Sequence, residues 1–196
     1  MIQHQTLDLT DLDPYETYED CQFTVPSVPA KVTDVTLKRC RFTGALDGTE
    51  WLDCTLQDLD LANRSWANGV LYRCTFQACN LLGTNFLGST WKHTQLVGCR
   101  GDYLNLSGAH LTACGAQETS LREAALRDVT VTQGFVADRC DLEQASFWGS
   151  NLAGVDLATS TFERLEVDAD AARLKGLVLN AYQAASVLSL FGVKIK

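Results

Sequence analysis

The chain has 196 residues, of which 46% are apolar, and a formal net charge of −8. This length and composition suffice for one domain with a continuous core. No apolar run approaches the roughly 20 residues that a membrane-spanning helix needs, and the amino-terminal segment lacks the basic start and apolar stretch of a secretory signal. An acidic surface repels phosphate, which disfavours direct nucleic-acid binding. We therefore expect a soluble, cytoplasmic protein.

The first 20 residues carry six acidic side chains and no Lys or Arg. They do not show the repeat that fills the rest of the chain, so we expect residues 1–20 to form an amino-terminal cap or a flexible segment. The only local basic cluster follows them, and we interpret it as a solvated face. Its members are Lys31, Lys38, Arg39 and Arg41.

A five-residue period runs through the sequence and should be sought before any helix or strand assignment. Sixteen of eighteen positions spaced five apart are large and apolar. These eighteen centres are Leu46, Trp51, Leu56, Leu61, Trp66, Leu71, Phe76, Leu81, Phe86, Trp91, Leu96, Gly101, Leu106, Leu111, Ala116, Leu121, Leu126 and Val131. Two residues before most centres the side chain is small. The departures from that rule are Leu59, Arg64, Leu104 and Val129.

The pattern resumes one residue out of phase at Leu142, which indicates an insertion near Gln133 and Gly134. Similar pairs of a small and a large residue, with other offsets, begin earlier in the chain at Cys21. We therefore assign residues 21–170 to one repeat domain.

A period of five fits neither the 3.6-residue helix nor the two-residue strand. If each unit forms one side of a square, four units make a 20-residue coil and residues 20 apart stack. With rungs about 4.8 Å apart, some seven coils would give a rod about 35 Å long. The sequence predicts an all-β fold, a right-handed quadrilateral parallel β-helix, followed by a short C-terminal α-helix.

Two segments carry a resemblance to a known family. CNLLGTNF (79–86) and CDLEQASFWGSNLAGVDL (140–157) resemble the A(D/N)LXX units of pentapeptide-repeat proteins. The resemblance covers about three quarters of the chain. It implies the β-helical fold and says much less about function, because one fold hosts many functions.

The eight cysteines all occupy the small inward position, where a free thiol behaves as a compact apolar group. They are Cys21, Cys40, Cys54, Cys74, Cys79, Cys99, Cys114 and Cys140. Pairs 20 apart, such as Cys54 with Cys74, would lie close enough for a bridge, but a cytoplasmic setting favours thiols. Since no CxxC spacing occurs, we expect neither a metal site nor a cofactor.

Catalytic patterns are equally scarce. His4, His93 and His110 share no constellation with a nucleophile, and the last two fall at outward positions. No P-loop, GxGxxG or GxSxG motif occurs. We expect a protein without enzymatic activity. A carbohydrate-active β-helix enzyme stays open as an alternative, and it would require grouped carboxylates in a groove.

The carboxyl end changes character. Asn180 and Gln183 have capping-box spacing and Gly192 is a stop signal, which predicts a helix over residues 181–191. Its polar residues are Gln183, Ser186 and Ser189. They form one narrow stripe, so the apolar arc is wider than one contact can bury. We predict a twofold, tail-to-tail homodimer, with a monomeric cap as the alternative. The expected interface residues are Tyr182, Ala185, Val187, Leu188, Leu190 and Phe191.

This end also narrows the resemblance. LKGLVLNAYQAASVLSLFGVKI (174–195) and STFERL (160–165) are similar to segments of Qnr-type quinolone-resistance proteins, especially the chromosomal Qnr-like proteins of Gram-positive bacteria. The resemblance implies that residues 171–196 form a strand–helix–strand dimerisation module. It also implies that the protein binds DNA gyrase, with topoisomerase IV as a second candidate, by imitating duplex DNA. Members of this family shield gyrase from quinolones or inhibit it. Because the long loops of many Gram-negative members are missing, binding is better supported than protection.

Acidic residues gather in the last coil and its exit, where Arg164 is the only opposing charge that we expect. Glu143 and Glu163 lie 20 apart, so their like charges should stack on neighbouring rungs. We predict a negative partner-binding surface here, while a solvated face of a scaffold for some other partner stays open. The predicted surface consists of Glu143, Asp156, Glu163, Glu166, Asp168 and Asp170.

Overall fold

The computed structural model describes residues 1–27 and 30–194. The chain winds into a right-handed, four-sided parallel β-helix that ends in one short α-helix, as the sequence predicts. Side 1 is centred on Trp66 and the residues stacked on it, side 2 on Leu71, side 3 on Phe76 and side 4 on Leu81. The strands are β1 (Ile2–Gln3), β2 (Thr6–Asp8), β3 (Thr17–Glu19), β4 (Gln22–Thr24), β5 (Lys31–Thr33), β6 (Thr36–Lys38), β7 (Arg41–Thr43), β8 (Glu50–Leu52), β9 (Thr55–Gln57), β10 (Val70–Tyr72), β11 (Thr75–Gln77), β12 (Thr90–Lys92), β13 (Gln95–Val97), β14 (His110–Gln117), β15 (Thr130–Asp138) and β16 (Val155–Asp156).

Parallel pairing sets the register of the rungs. Leu71 lies opposite Trp91 on side 2, and Phe76 lies opposite Leu96 on side 3, so residues 20 apart stack. Nine rungs follow one another on side 3, from β1 to β16. Sides 1 and 4 carry mostly single bridges, such as that between Ser65 and Asn85. The five-residue pattern therefore arises because each side of the square coil is five residues long.

The predicted insertion is confirmed. Between β14 and β15 the register changes, so that Cys114 lies opposite Phe135. Gln133 and Gly134 occupy the corner with φ of +55° and +93°. This left-handed corner accommodates one extra residue without breaking the stack.

The inward side chains form one continuous core. Aromatic rings stack through its middle, with centroids 5.5 Å apart between Trp66 and Phe86 and 4.9 Å apart between Phe86 and Trp91. All eight cysteines are buried free thiols. The Cys79 thiol, for example, lies 3.2 Å from the Leu56 carbonyl oxygen.

The sequence predicts an amino-terminal cap or a flexible segment over residues 1–20. Residues 1–20 belong to the β-helix, because β1 pairs with β3 and β2 pairs with β4. A 3-10 turn over Leu9–Asp11 buries Leu9 against the core. Ile2 lies opposite Tyr18, which is only 16 residues away. This coil therefore departs from the five-residue period, and the period could not predict it.

The carboxyl end differs from its prediction in three respects. Helix α1 spans Ala181–Ser189, two residues shorter at its end than expected, and Gly192 follows with φ of +74°. The expected strand before the helix is reduced to one bridge, between Asp156 and Val178. Residues 190–194 form no strand, and the rest of the expected final strand lies outside the described residues. Within the described part of the chain, no helix is long and apolar enough to span a membrane.

Candidate protein-interaction surface

The helix start has the predicted capping box. The Asn180 side-chain oxygen accepts hydrogen bonds from the backbone N–H groups of Tyr182 and Gln183, both at 3.0 Å. In return, the Gln183 side-chain oxygen accepts the Asn180 N–H at 2.9 Å. The two reciprocal bonds satisfy amides that the first helical turn leaves unpaired.

Gln183 also joins the helix to the last coil. Its side chain is buried, and its Nε2 donates to the carbonyl oxygens of Leu157 at 2.8 Å and Ser160 at 2.6 Å. The Asn180 Nδ2 donates to the Ala158 carbonyl at 2.8 Å. These carbonyls end the rod, where no further coil can pair with them. The helix face on the coil therefore carries Gln183 and Val187, which are both buried, whereas Ser189 of the polar stripe is exposed.

The opposite part of the helix is an exposed apolar surface. Tyr182 is 89% exposed, and Leu188, Leu190 and Phe191 are also exposed. Ala185 is half-buried. Including Val187 in the predicted interface was wrong, because it is only 6% exposed and packs into the core of its own chain. Val193, which the prediction omitted, is exposed beside them. We call Tyr182, Leu188, Leu190, Phe191 and Val193 the apolar helix surface.

Glu143 does not form the repulsive stack that its spacing from Glu163 suggested. Its carboxylate accepts the backbone N–H groups of Glu163 at 2.8 Å and Arg164 at 3.1 Å. The Arg164 guanidinium also donates to it at 2.9 Å. These groups, the Glu163 amide first, hold the pKa of Glu143 below its ordinary value. Glu143 therefore links two rungs, and its charge is largely neutralised.

Arg164 is not the only opposing charge, contrary to expectation. Arg127 lies 3.4 Å from the Glu166 carboxylate, and Arg173 lies 3.3 Å from Asp168 and 3.9 Å from Asp170. Asp168 also accepts a backbone N–H. The six predicted acids lie along the last rungs, but Glu166 pairs with the distant Arg127, and Asp168 and Asp170 share the nearby Arg173.

Glu163 and Asp156 complete the predicted surface. Glu163 is exposed on side 4, and no basic side chain among the described residues lies within 4.0 Å of it. Asp156 accepts the Ala158 backbone N–H at 3.0 Å, which stabilises a turn. Glu163 is therefore the acid of the six that is most available to an electropositive partner.

Ion pairs between rungs are a feature that sequence reasoning missed. Arg39 contacts Asp20, Arg73 contacts Asp53, Arg122 contacts Asp141 and Arg139 contacts Glu118. The signal was present, since each pair is 19 to 21 residues apart, which is one turn of the coil. Exposed ion pairs add little stability, but they leave the unpaired acids to carry the net charge of −8.

The described residues show no candidate metal centre. Within residues 1–27 and 30–194, no group of three or more His, Cys, Asp or Glu side chains is placed to hold a metal ion. His4, His93 and His110 are all exposed.

Comparisons with known proteins return pentapeptide-repeat proteins among the solved structures. No protein-family model and no curated protein matches the sequence. Among solved structures, full-length QnrB1, a plasmid-mediated fluoroquinolone resistance protein, is 18% identical, covers 97% of this chain and 100% of its own, and has a TM-score of 0.46. HetL, a pentapeptide repeat protein involved in heterocyst differentiation regulation from the cyanobacterium Nostoc sp. strain PCC 7120, is 16% identical, covers 91% and 85%, and has a TM-score of 0.44.

The pentapeptide repeat protein Rfr23 from the cyanobacterium Cyanothece 51142 is 16% identical, covers 67% of this chain and 91% of its own, and has a TM-score of 0.22. These likenesses concern the fold alone. The stronger observation is internal: the rung register of this chain has the 20-residue spacing of a pentapeptide-repeat β-helix. The resemblance predicted from the sequence is confirmed at the level of the fold.

Proposed function

We propose that the protein binds DNA gyrase, with topoisomerase IV as a second candidate, and modulates its activity as a non-enzymatic mimic of duplex DNA. A cytoplasmic location is part of this proposal. The observation that carries it is a rod with nine rungs on one side and a net charge of −8. A rod of this kind presents charged side chains at regular rung intervals to a surface built for DNA.

The charge density limits how much of this mimicry is electrostatic. Nine rungs span about 38 Å at about 4.8 Å per interval, which gives roughly one net negative charge per 5 Å. Duplex DNA carries one per about 1.7 Å of its axis. The protein is thus about one third as charged per length, so its shape must contribute much of the affinity, with the acids improving approach and orientation.

The proposed assembly is a homodimer, joined through the apolar helix surface. An exposed apolar patch of this kind marks an interaction site. In a twofold dimer, the patch of one protomer covers the same patch of its partner. Glu163 lies on the last complete rung, near this end of the rod. The dimer would therefore place two copies of this acid around its centre.

A second candidate function is a β-helical scaffold for another protein. It is favoured by the arginines that neutralise Glu143, Glu166 and Asp168. On this reading, the acids of the last rungs hold the coil together and the partner need not resemble a DNA-binding protein. The choice between the two candidates depends on the effect on gyrase.

The test is a supercoiling and cleavage assay with purified gyrase, with and without ciprofloxacin. Inhibition of supercoiling supports binding, and reduced drug-stabilised cleavage shows protection. Glu163→Lys should weaken either effect, whereas Glu50→Lys makes the same charge change on an exposed residue of side 2, across the coil from side 4. If micromolar protein changes neither supercoiling nor cleavage, the gyrase proposal is wrong and the scaffold remains.

A further inference from the structure

Beside the end of helix α1, an open groove of about 840 Å³ runs along side 1 over the last rungs. Trp148 lies in it and is 56% exposed, whereas Trp51, Trp66 and Trp91 are at most 2% exposed. Trp148 follows the inward Phe147, so its outward position leaves a large aromatic surface in water. Exposed aromatic side chains in a groove are typical of binding sites.

The two arginines that line the groove are already engaged. Arg127 donates to the Ser146 hydroxyl at 2.9 Å and lies 3.4 Å from the Glu166 carboxylate. Arg164 donates to the Glu143 carboxylate at 2.9 Å. Their guanidinium groups therefore offer little attraction to an anionic ligand.

One carboxylate in the same groove has no such partner. Glu123 accepts a hydrogen bond from the Tyr103 hydroxyl at 3.0 Å. Among the described residues, no basic side chain lies within 4.0 Å of it. The groove thus combines an exposed indole, a free negative charge and the apolar side chains of Ala125 and Val167.

We infer that this groove binds an arginine side chain of a protein partner. A guanidinium stacks on an aromatic face and pairs with a carboxylate at the same time, and its aliphatic stem can lie along the apolar wall. The inference rests on the proposed function in one respect, because it assumes an electropositive partner. To the proposed function it adds a specific recognition site, the groove, and the chemical group that the groove binds, a guanidinium.

The test uses a fluorescein-labelled tetra-arginine peptide and measures anisotropy at low salt, together with the emission of Trp148. We expect saturable binding with a change in Trp148 emission, weaker binding of tetra-lysine, and none of the neutral tetra-citrulline. Glu123→Gln keeps an acceptor for Tyr103 and should weaken binding roughly threefold, the size expected of one exposed cation–π or charge contact. Trp148→Leu should weaken it by a similar factor.

Glu50→Gln is the matched control, since it removes the same charge from side 2 and should leave affinity unchanged. Equal weakening by Glu50→Gln and Glu123→Gln would show non-specific attraction and overturn the inference. The inference would also be overturned if Trp148 emission changed with protein concentration but did not respond to the peptide. That result would mean that a second copy of the chain covers the groove. The peptide assay contains no gyrase. A negative result would therefore overturn the arginine site without changing the outcome of the supercoiling assay.

Discussion

Within one coil, Gly101 and Leu104 reverse the repeat's usual placement of a large and a small residue. Gly101 stands at a centre where the repeat places a large residue, and Leu104 stands at a position that is usually small, yet Leu104 is fully buried. A Cβ on Gly101 would lie 3.0 Å from the Leu121 Cδ2, 3.1 Å from the Ser120 carbonyl oxygen and 3.9 Å from the Leu104 Cβ. A side chain at position 101 would therefore be crowded first by Leu121 and Ser120, with Leu104 in ordinary contact beside it.

This exchange predicts strong coupling between the two positions. Leu104→Ala should lower the free energy of unfolding by about 2–5 kcal/mol through a cavity, and Gly101→Leu should lower it by about 1–3 kcal/mol through overpacking. The double substitution should cost less than the sum, because each change relieves the other. Urea unfolding of the four proteins measures this, and strict additivity would contradict the exchange.

Gln183 should matter more for helix docking than its polar neighbours. Gln183→Leu leaves the Ser160 carbonyl without its donor and removes one of the two donors to the Leu157 carbonyl, which should cost about 1–3 kcal/mol. We expect faster amide hydrogen exchange in α1 while the coils stay protected. Ser186→Ala, on the same stripe, is the control and should have a smaller effect. Equal exchange in both variants would argue against Gln183 as the docking residue.

Glu143 should make stability depend on pH in the acidic range. Its folded pKa is lowered from an ordinary value of 4.5, so its contribution is present above that value and is lost as the pH falls through the folded pKa. The difference in unfolding free energy between wild type and Glu143→Gln should be constant from pH 8 to 6 and should shrink towards pH 3. Thr161→Ala removes no titratable group, so its effect should not follow pH. A difference for Glu143→Gln that grows towards pH 3 would contradict this assignment.

The thiols should be unreactive in the folded protein. Burial raises the pKa of Cys40 to about 11 and also raises the pKa values of Cys114 and Cys140. Because all eight thiols are buried and the reagent must reach a thiolate, Ellman's reagent at pH 8 should label none of the eight cysteines quickly in native protein and all of them in denaturant. Rapid labelling without denaturant would show that the coil opens or that a thiol is accessible.

The apolar helix surface should determine the oligomeric state. Leu188→Glu combined with Phe191→Glu places charges in the proposed dimer contact, and sedimentation velocity should then show a soluble monomer in place of a dimer. Tyr15→Glu, a change at another exposed residue near the opposite end, should leave the dimer intact. A sedimentation coefficient that is the same for wild type and the double variant would exclude this interface.

Much of the fold followed from the sequence because burial in a coil is periodic. The inward positions of Trp51, Phe76 and Cys79 could be predicted by counting in fives, since each side of the square turns one central residue inward. The first coil could not be found that way, because Ile2 and Tyr18 are 16 residues apart. The capping box of Asn180 and Gln183 was also predictable, since it is a local interaction.

The sequence by itself determined the inward half of this protein: the repeat, the core, the buried thiols and the position of the helix. The tertiary structure decided the outward half. Arg127 could be matched to Glu166 only once the one-residue shift at Gln133 had placed Ser146 and Glu166 in the column of Ala125, two residues before Arg127. Gln183 turned inward because carbonyl groups of the last coil have no following rung to pair with them. The need for such a donor exists only at the end of the stack, and no local sequence pattern indicates it.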